Sequence, residues 1–261
     1  MSEQQPEFLH LPDDGWGARR IAFLRSPGRG TGEAGLLWLP GFNSVMTSSK
    51  AEGLAGWVEG NGRALTRFDY SGHGLSDGRF EDGTIGQWLA DSLAAFDHLT
   101  AGPQIVLGSS MGGYLAMLLL EELKRREDKF ARVRGAVLIA PAWNMTERLM
   151  WTEMPQEARA ALELEGVWRR PSAYGDAYPI TRRLIEEGRR HLIDPATYDP
   201  GCPTTILHGA ADADVPIEGS RELVRLSPRR DLRLVEIPDG EHRLARPGDI
   251  ALLFREIDAL A

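Results

Sequence analysis

Short apolar runs alternate along the chain with stretches of helical period. The runs lie at 20–24, 35–39, 64–69, 104–107, 135–139, 204–207 and 232–237. Such alternation predicts an α/β architecture, a mostly parallel sheet with helices as crossovers. The first run is expected on an antiparallel edge, and the Gly/Arg/Thr stretch at 27–35 reads as a turn-rich hairpin connection. Two helices show their period clearly. Over 84–99 the apolar face holds Ile85, Trp88, Leu89, Phe96 and Leu99, with Ser92 as its polar exception. Thr84 and Gln87 have capping-box spacing. Over 247–260 the stripe is Ile250, Leu253, Phe254, Ile257 and Leu260, and Pro247 suits the first turn.

One stretch breaks the alternation. From Trp143 to about Pro200 the sequence is helix-like and offers no convincing strand. It reads as a helical lid insert, about 143–200, within a single domain spanning 1–261, since inserts on a rigid sheet often act as lids. Trp143, Trp151, Trp168 and Tyr174 are its candidate walls for an apolar acyl pocket. Burial of the insert against the sheet accounts for the same residues equally well.

The run at 104–107 leads into Gly108-Ser109-Ser110-Met111-Gly112, and a helical pattern follows over 114–125. Strand, G-x-S-x-G and helix in that order make a nucleophile elbow, in which a tight turn flanked by small residues lifts Ser110 above the sheet edge. A serine hydroxyl needs a base to take its proton. Folds with this elbow place the partners in the order Ser, Asp, His. His242 meets that order, in the loop after the run at 232–237. The preceding loop, His208-Gly209-Ala210-Ala211-Asp212-Ala213-Asp214, supplies the acid. Asp212 is the first choice there and Asp214 the reserve. His208 and His73 read as structural turn residues. The expected oxyanion donors are the backbone amides of Met111, beside the serine, and Phe42, in the loop after the run at 35–39. Asn43 lies beside the latter and is a further pocket candidate.

Composition narrows the remaining choices. The chain has 261 residues, 42% apolar and 26% charged, with a net charge of −8 and no long Lys/Arg cluster, which argues against nucleic acid. A single cysteine, Cys202, rules out an internal disulfide and fits a reducing, cytoplasmic setting. No apolar run is long enough for membrane insertion, and the first residues lack the pattern of a secretory signal. No metal or organic cofactor is called for, and oligomeric state is left open.

The segments LPGF, RFDYSGHGLSDG, GPQIVLGSSMGGYL, GVWRRPSAY, LHGAADADVP and GEHR together resemble the mitochondrial α/β-hydrolase family of palmitoyl-protein thioesterases and acyl-glucuronide esterases. The resemblance runs from about Leu36 onward and includes part of the insert, at Gly166-Val167-Trp168, Pro171-Ser172 and Tyr174. It implies the α/β-hydrolase fold, with the nucleophile at Ser110, the acid at Asp212 and the base at His242. It also implies a small acyl ester or thioester as substrate, or an acylated protein. The chain departs from the family in lacking a mitochondrial presequence, which with its length suggests a bacterial-type member, and within the insert at Arg169 and Arg170, differences that bear on the substrate. Two other readings are a serine aminopeptidase on the same fold and a non-catalytic ligand receptor on a hydrolase scaffold.

Overall fold

The computed structural model describes residues 4–30, 32–172 and 175–260. Tyr174 therefore lies outside the described residues. The elements run β1 (Glu7–Leu11), β2 (Arg19–Ser26), β3 (Gly35–Leu39), α1 (Ser49–Asn61), β4 (Leu65–Phe68), α2 (Ile85–Leu99), β5 (Gln104–Ser109), α3 (Met111–Lys124), α4 (Glu127–Phe130) and β6 (Val133–Ile139). An inserted segment then holds α5 (Gln156–Glu165), β7 (Val167–Ser172), β8 (Gly175–Thr181) and α6 (Arg182–Gly188). The chain finishes with β9 (Thr204–Gly209), α7 (Glu218–Leu226), β10 (Leu232–Ile237) and α8 (Pro247–Asp258).

Eight strands form one sheet in the order β1-β2-β4-β3-β5-β6-β9-β10. From β4 to β10 all neighbours are parallel, while β2 is antiparallel to β4 and β1 antiparallel to β2. The direction of strand addition reverses between β3 and β5, and open α/β sheets bind ligands outside the strand carboxyl ends at such a switch point. Side chains alternate across the sheet as a two-sided core demands. Leu37, Leu39, Val106, Leu138 and Ile206 join the core beneath α2 and α3. Leu36, Trp38, Ile105, Leu107, Val137 and Leu207 face the other way, with residues of α1 and α8.

The structure alters three expectations. The run at 20–24 is not the edge: β1 pairs outside it, a five-residue strand in which Phe8, Leu9 and Leu11 are interrupted by His10 and form no continuous apolar run. The stretch at 27–35 is no hairpin connection, because β4 lies between β2 and β3. The insert is not wholly helical, because β7 and β8 pair antiparallel in a two-stranded sheet, with Val167 opposite Thr181 and Arg170 opposite Tyr178. Pro171 and Pro179 mask the strand pattern in sequence, yet a two-stranded ribbon has free edges where a missing N–H is tolerated. Side chains clamp the insert to the domain. Glu187 accepts from Gly86 N at the start of α2 (3.0 Å) and Tyr114 of α3 donates to the His191 carbonyl (2.6 Å), while within the insert the Asn144 side-chain amide exchanges two hydrogen bonds with the Ile193 backbone (2.8 and 2.9 Å).

Helix α2 begins as expected, the Thr84 hydroxyl accepting from Gln87 N at 3.2 Å. It also carries a buried charge. Asp91 is fully buried, accepts from Arg19 Nε at 2.8 Å and from Ser71 N at 2.8 Å, and so joins β2 to the loop after β4. Removing one member of a buried pair strands the other charge. Asp91→Ala would leave Arg19 with Asp14 alone and should lower unfolding free energy by about 3–5 kcal/mol in urea titration, whereas breaking an exposed pair such as Arg221–Glu236 should change it far less.

Candidate active site

Strand β5 ends at Ser109, and Ser110 turns at φ 56° and ψ −119° before α3 starts. A non-glycine residue held there carries strain of about 1–3 kcal/mol, which the surroundings must outweigh. Two glycines permit the turn. A Cβ on Gly108 would lie 2.2 Å from the Gly112 carbonyl oxygen, and one on Gly112 would lie 2.0 Å from that of Leu39. Ser110 N donates to Ile139 O (2.8 Å) and Ala142 N to Ser110 O (3.1 Å), fixing the turn against the end of β6. The elbow read from the sequence is thus present, with Ser110 partly exposed at the carboxyl edge.

The loops after β9 and β10 reach the same edge. They are tied to each other by Ala211 N to Gly240 O (2.9 Å) and Ala210 N to Ile237 O (2.8 Å). Asp212 and His242, far apart in sequence, meet there, with Nδ1 of the imidazole 2.8 Å from Oδ2 of the carboxylate. The other carboxylate oxygen accepts from Asp214 N (2.9 Å) and Val215 N (2.8 Å). Burial opposes ionisation of Asp212, but hydrogen bonds from His208, His242 and Val215 N hold its carboxyl well below the usual range. His208 is fully buried, bonding Val215 O (2.9 Å) through Nε2 and Ser220 Oγ (2.8 Å) through Nδ1, which fits its reading as a turn residue. Asp214 is exposed and lends its backbone amide to Asp212, so the acid facing His242 Nδ1 is Asp212. Among the described residues no hydrogen bond joins His242 to Ser110; such bonds often tighten only when substrate is present.

The loop after β3 lies alongside the elbow. A Cβ on Gly41 would sit 3.4 Å from Ser110 Cβ, which places Phe42 beside the serine. Asn43 is exposed at φ 55°, and its amide donates to His73 Nε2 at 3.2 Å. His73 Nδ1 faces the Ser71 carbonyl at 3.3 Å. A carbonyl only accepts, so Nδ1 carries the proton and the ring is neutral. Burial pushes its pKa down to about 4. Asp69 secures the same region, accepting from Met46 N (2.7 Å) and Leu75 N (2.9 Å). His73 is therefore a structural support for the loop after β3, in keeping with its reading as a structural residue; its bond to Asn43 joins residues 30 apart and has no local sequence pattern.

The aromatic pocket residues fare unevenly. Trp143 is buried, its Nε1 donating to Gly219 O at 3.1 Å and its ring covered by Arg148, so it packs the insert against α7. Trp151 stacks between Arg159 and Arg189 and lines a cavity of about 140 Å³ that none of Ser110, Asp212 and His242 lines. Trp168 is half-buried against the core. The insert residue that does reach the loop beside Ser110 is Tyr178. Its ring centroid is 5.6 Å from that of Phe42, which also meets Phe80 at 5.0 Å and Trp88 at 5.8 Å. Burial pushes the Tyr178 phenol up against the pull of Arg170, which hydrogen-bonds it. Its sequence signal was only that of another aromatic in the insert.

The sheet order and the strand–Ser110–helix turn define an α/β-hydrolase fold. Comparison with known proteins agrees. A family model described as "Serine aminopeptidase, S33" matches residues 33–183. The human protein named palmitoyl-protein thioesterase ABHD10, mitochondrial, is 32% identical over 255 residues, covering 97% of this chain and 79% of that protein. A crystal structure of a putative hydrolase from Agrobacterium vitis S4 superposes with a TM-score of 0.91 at 39% identity, covering 99% of this chain and 98% of that one. Alpha/beta hydrolase domain-containing protein 10 from mouse gives 0.82 at 30% identity, covering 98% of each chain. The chain belongs to the α/β-hydrolases, in the family of that model and of the ABHD10 palmitoyl-protein thioesterases.

The neutral His73 sets a pH dependence. Its folded pKa, about 4, lies below the unfolded value near 6.5, so the unfolded chain binds the extra proton first. Stability should fall as pH drops from about 6.5 towards 4. Urea titrations across that range should show this slope, and His73→Gln should flatten it.

Proposed function

We propose that this chain is a serine hydrolase that cleaves a carboxylic ester or thioester through an acyl-Ser110 intermediate. The observation that carries the reading is the 2.8 Å Asp212–His242 pair, on the edge to which the elbow lifts Ser110. Ser110 Oγ attacks the substrate carbonyl and His242 Nε2 takes its proton. Asp212, kept ionised, holds the Nδ1–H tautomer and stabilises the imidazolium. The amides of Phe42 and Met111 hold the oxyanion, each such donor contributing about 2.7–4 kcal/mol in related enzymes. His242 then protonates the leaving oxygen or sulfur, and water releases the acid by the same steps in reverse. No step calls on a metal or an organic cofactor.

The named relatives favour an acyl thioester, with a long acyl chain or an acylated protein as substrate; an acyl glucuronide is the alternative ester. Phe42, Phe80 and Tyr178, all half-buried, supply apolar rings beside the site for such a chain. Among the described residues no helix is long and apolar enough to cross a membrane. Cys202 is buried, and burial pushes its thiol up to about 11, which suits an inert cysteine in a reducing compartment such as the cytoplasm.

A second reading, a serine aminopeptidase, has two observations in its favour. One is the description of the matching family model. The other is the Asp214 carboxylate, which with Asp212 and His242 offers ligand atoms all within 4.8 Å of one another and would suit a substrate amine. Octanoyl and palmitoyl thioesters, the matching p-nitrophenyl esters and alanine p-nitroanilide, assayed side by side, separate the readings. Turnover of the thioesters and esters alone is expected, and turnover of the anilide alone would favour the peptidase. A fluorophosphonate probe should label Ser110. Ser110→Ala should abolish turnover with the fold intact, and Asp212→Asn should lower kcat by about 10⁴. Tight acyl-ligand binding without turnover in wild type and Ser110→Ala alike would instead indicate a receptor.

A further inference from the structure

Lys50 occupies the first turn of α1, where the helix dipole disfavours a cation. Helix stability therefore does not explain it. Its half-buried side chain crosses to the far side of the cleft, where Nζ donates to the backbone carbonyl of Arg243, the residue after His242. The acidic residue of the same turn, Glu52, is engaged elsewhere, accepting from Arg67 at 2.7 Å. Helix α1 follows directly on the loop that carries Phe42 and Asn43. One side chain thus joins the loop beside the elbow to the loop that holds the imidazole.

We infer that Lys50 is a positioning residue: by gripping the Arg243 carbonyl it fixes the His242 loop, and with it the angle at which the imidazole meets Ser110 and Asp212. The inference rests on the serine hydrolase reading. A charged donor makes a shorter and stronger hydrogen bond than a neutral one, so the grip is strongest while Lys50 is an ammonium. The groups around it are Arg243 from the loop after β10, Asp212 from the loop after β9 and Asp249 from α8. Burial, reinforced by Arg243, lowers its pKa to about 8 against the pull of the two carboxylates. The tether therefore weakens as pH rises through that value.

The test uses the full chain and p-nitrophenyl octanoate, following kcat and KM from pH 6 to 10. Wild-type kcat should step down to a lower plateau near pH 8. Lys50→Met should lower kcat about tenfold below the step while KM moves less than about twofold, the size of loss a slightly misplaced catalytic group produces; its profile should lack the step. Lys50→Arg keeps charge and donors at every pH in the range. It should recover most of kcat and also lose the step, which a merely structural lysine would not do. A Lys50→Met kcat within about twofold of wild type overturns the inference, as does a step that persists in Lys50→Arg. If Lys50→Met does not fold, the wild type and Lys50→Arg profiles decide alone. Ser110→Ala, run alongside, separates the two levels. Activity surviving in it overturns the hydrolase reading and this inference with it. An inert Ser110→Ala beside an unaffected Lys50→Met overturns this inference alone.

Discussion

The end of β3 and the start of α3 approach so closely that no side chain fits between them. A Cβ on Gly112 would fall 2.0 Å from Leu39 O and 2.4 Å from Pro40 O. This contact joins the two sides of the switch point in the sheet. Ser110 is held at φ 56° on one side of it, and the Phe42 amide lies on the other. The strained serine backbone is stable because its neighbours over-determine it: Ile139 O accepts its amide, and Ala142 N donates to its carbonyl. Ser110 and the loop after β3 are thereby one unit; in the proposed reaction they would need no reorganisation to act together, the condition under which fixed dipoles stabilise developing charge best.

The other half of the machinery is built on charge. Asp212 is nearly buried, and an isolated carboxylate there would neutralise itself by taking a proton. Two backbone amides and two imidazoles surround it. That shell keeps the charge in place and leaves one geometry for His242. His208 supports this arrangement from the other side of the carboxylate, tied to Ser220 and Val215. On the opposite side His73 plays a matching part as a neutral ring bridging Ser71 O and Asn43 N. Three histidines in three environments thus do three different things, and the partner of Nδ1 distinguishes them.

Sequence reading reached the features that local pattern encodes. The buried parallel strands announced themselves as short apolar runs, since both faces of β3, β5 and β9 are covered. The elbow is legible because its residues are contiguous in the chain, although only Gly108 is demanded by a near neighbour, Gly112, while Gly112 itself is demanded by the distant Leu39 and Pro40. Chain order then led to Asp212 and His242. What escaped was set by contacts between distant residues. Strand β1 is a five-residue edge, mostly exposed, whose Phe8, Leu9 and Leu11 form no continuous apolar run. The β7–β8 ribbon carries a proline in each strand, which sequence reading counts against a strand and a free edge tolerates. Of the two roles open to Trp143 in the sequence, pocket wall or packing, the structure shows packing, while Tyr178, another insert aromatic, stands against Phe42. Lys50 and Arg243 are 193 residues apart, and no periodicity connects them.

The proposed reaction makes a spatial claim: Ser110, His242 and the two amides converge on one substrate carbonyl group. A crystal structure of the chain after reaction with a fluorophosphonate measures this directly. The account predicts phosphorus bonded to Ser110 Oγ, its oxygen within hydrogen-bond distance of Phe42 N and Met111 N, and His242 Nε2 turned towards Oγ. An adduct with that oxygen in solvent, or with the imidazole directed away from Ser110 while still paired to Asp212, would contradict it.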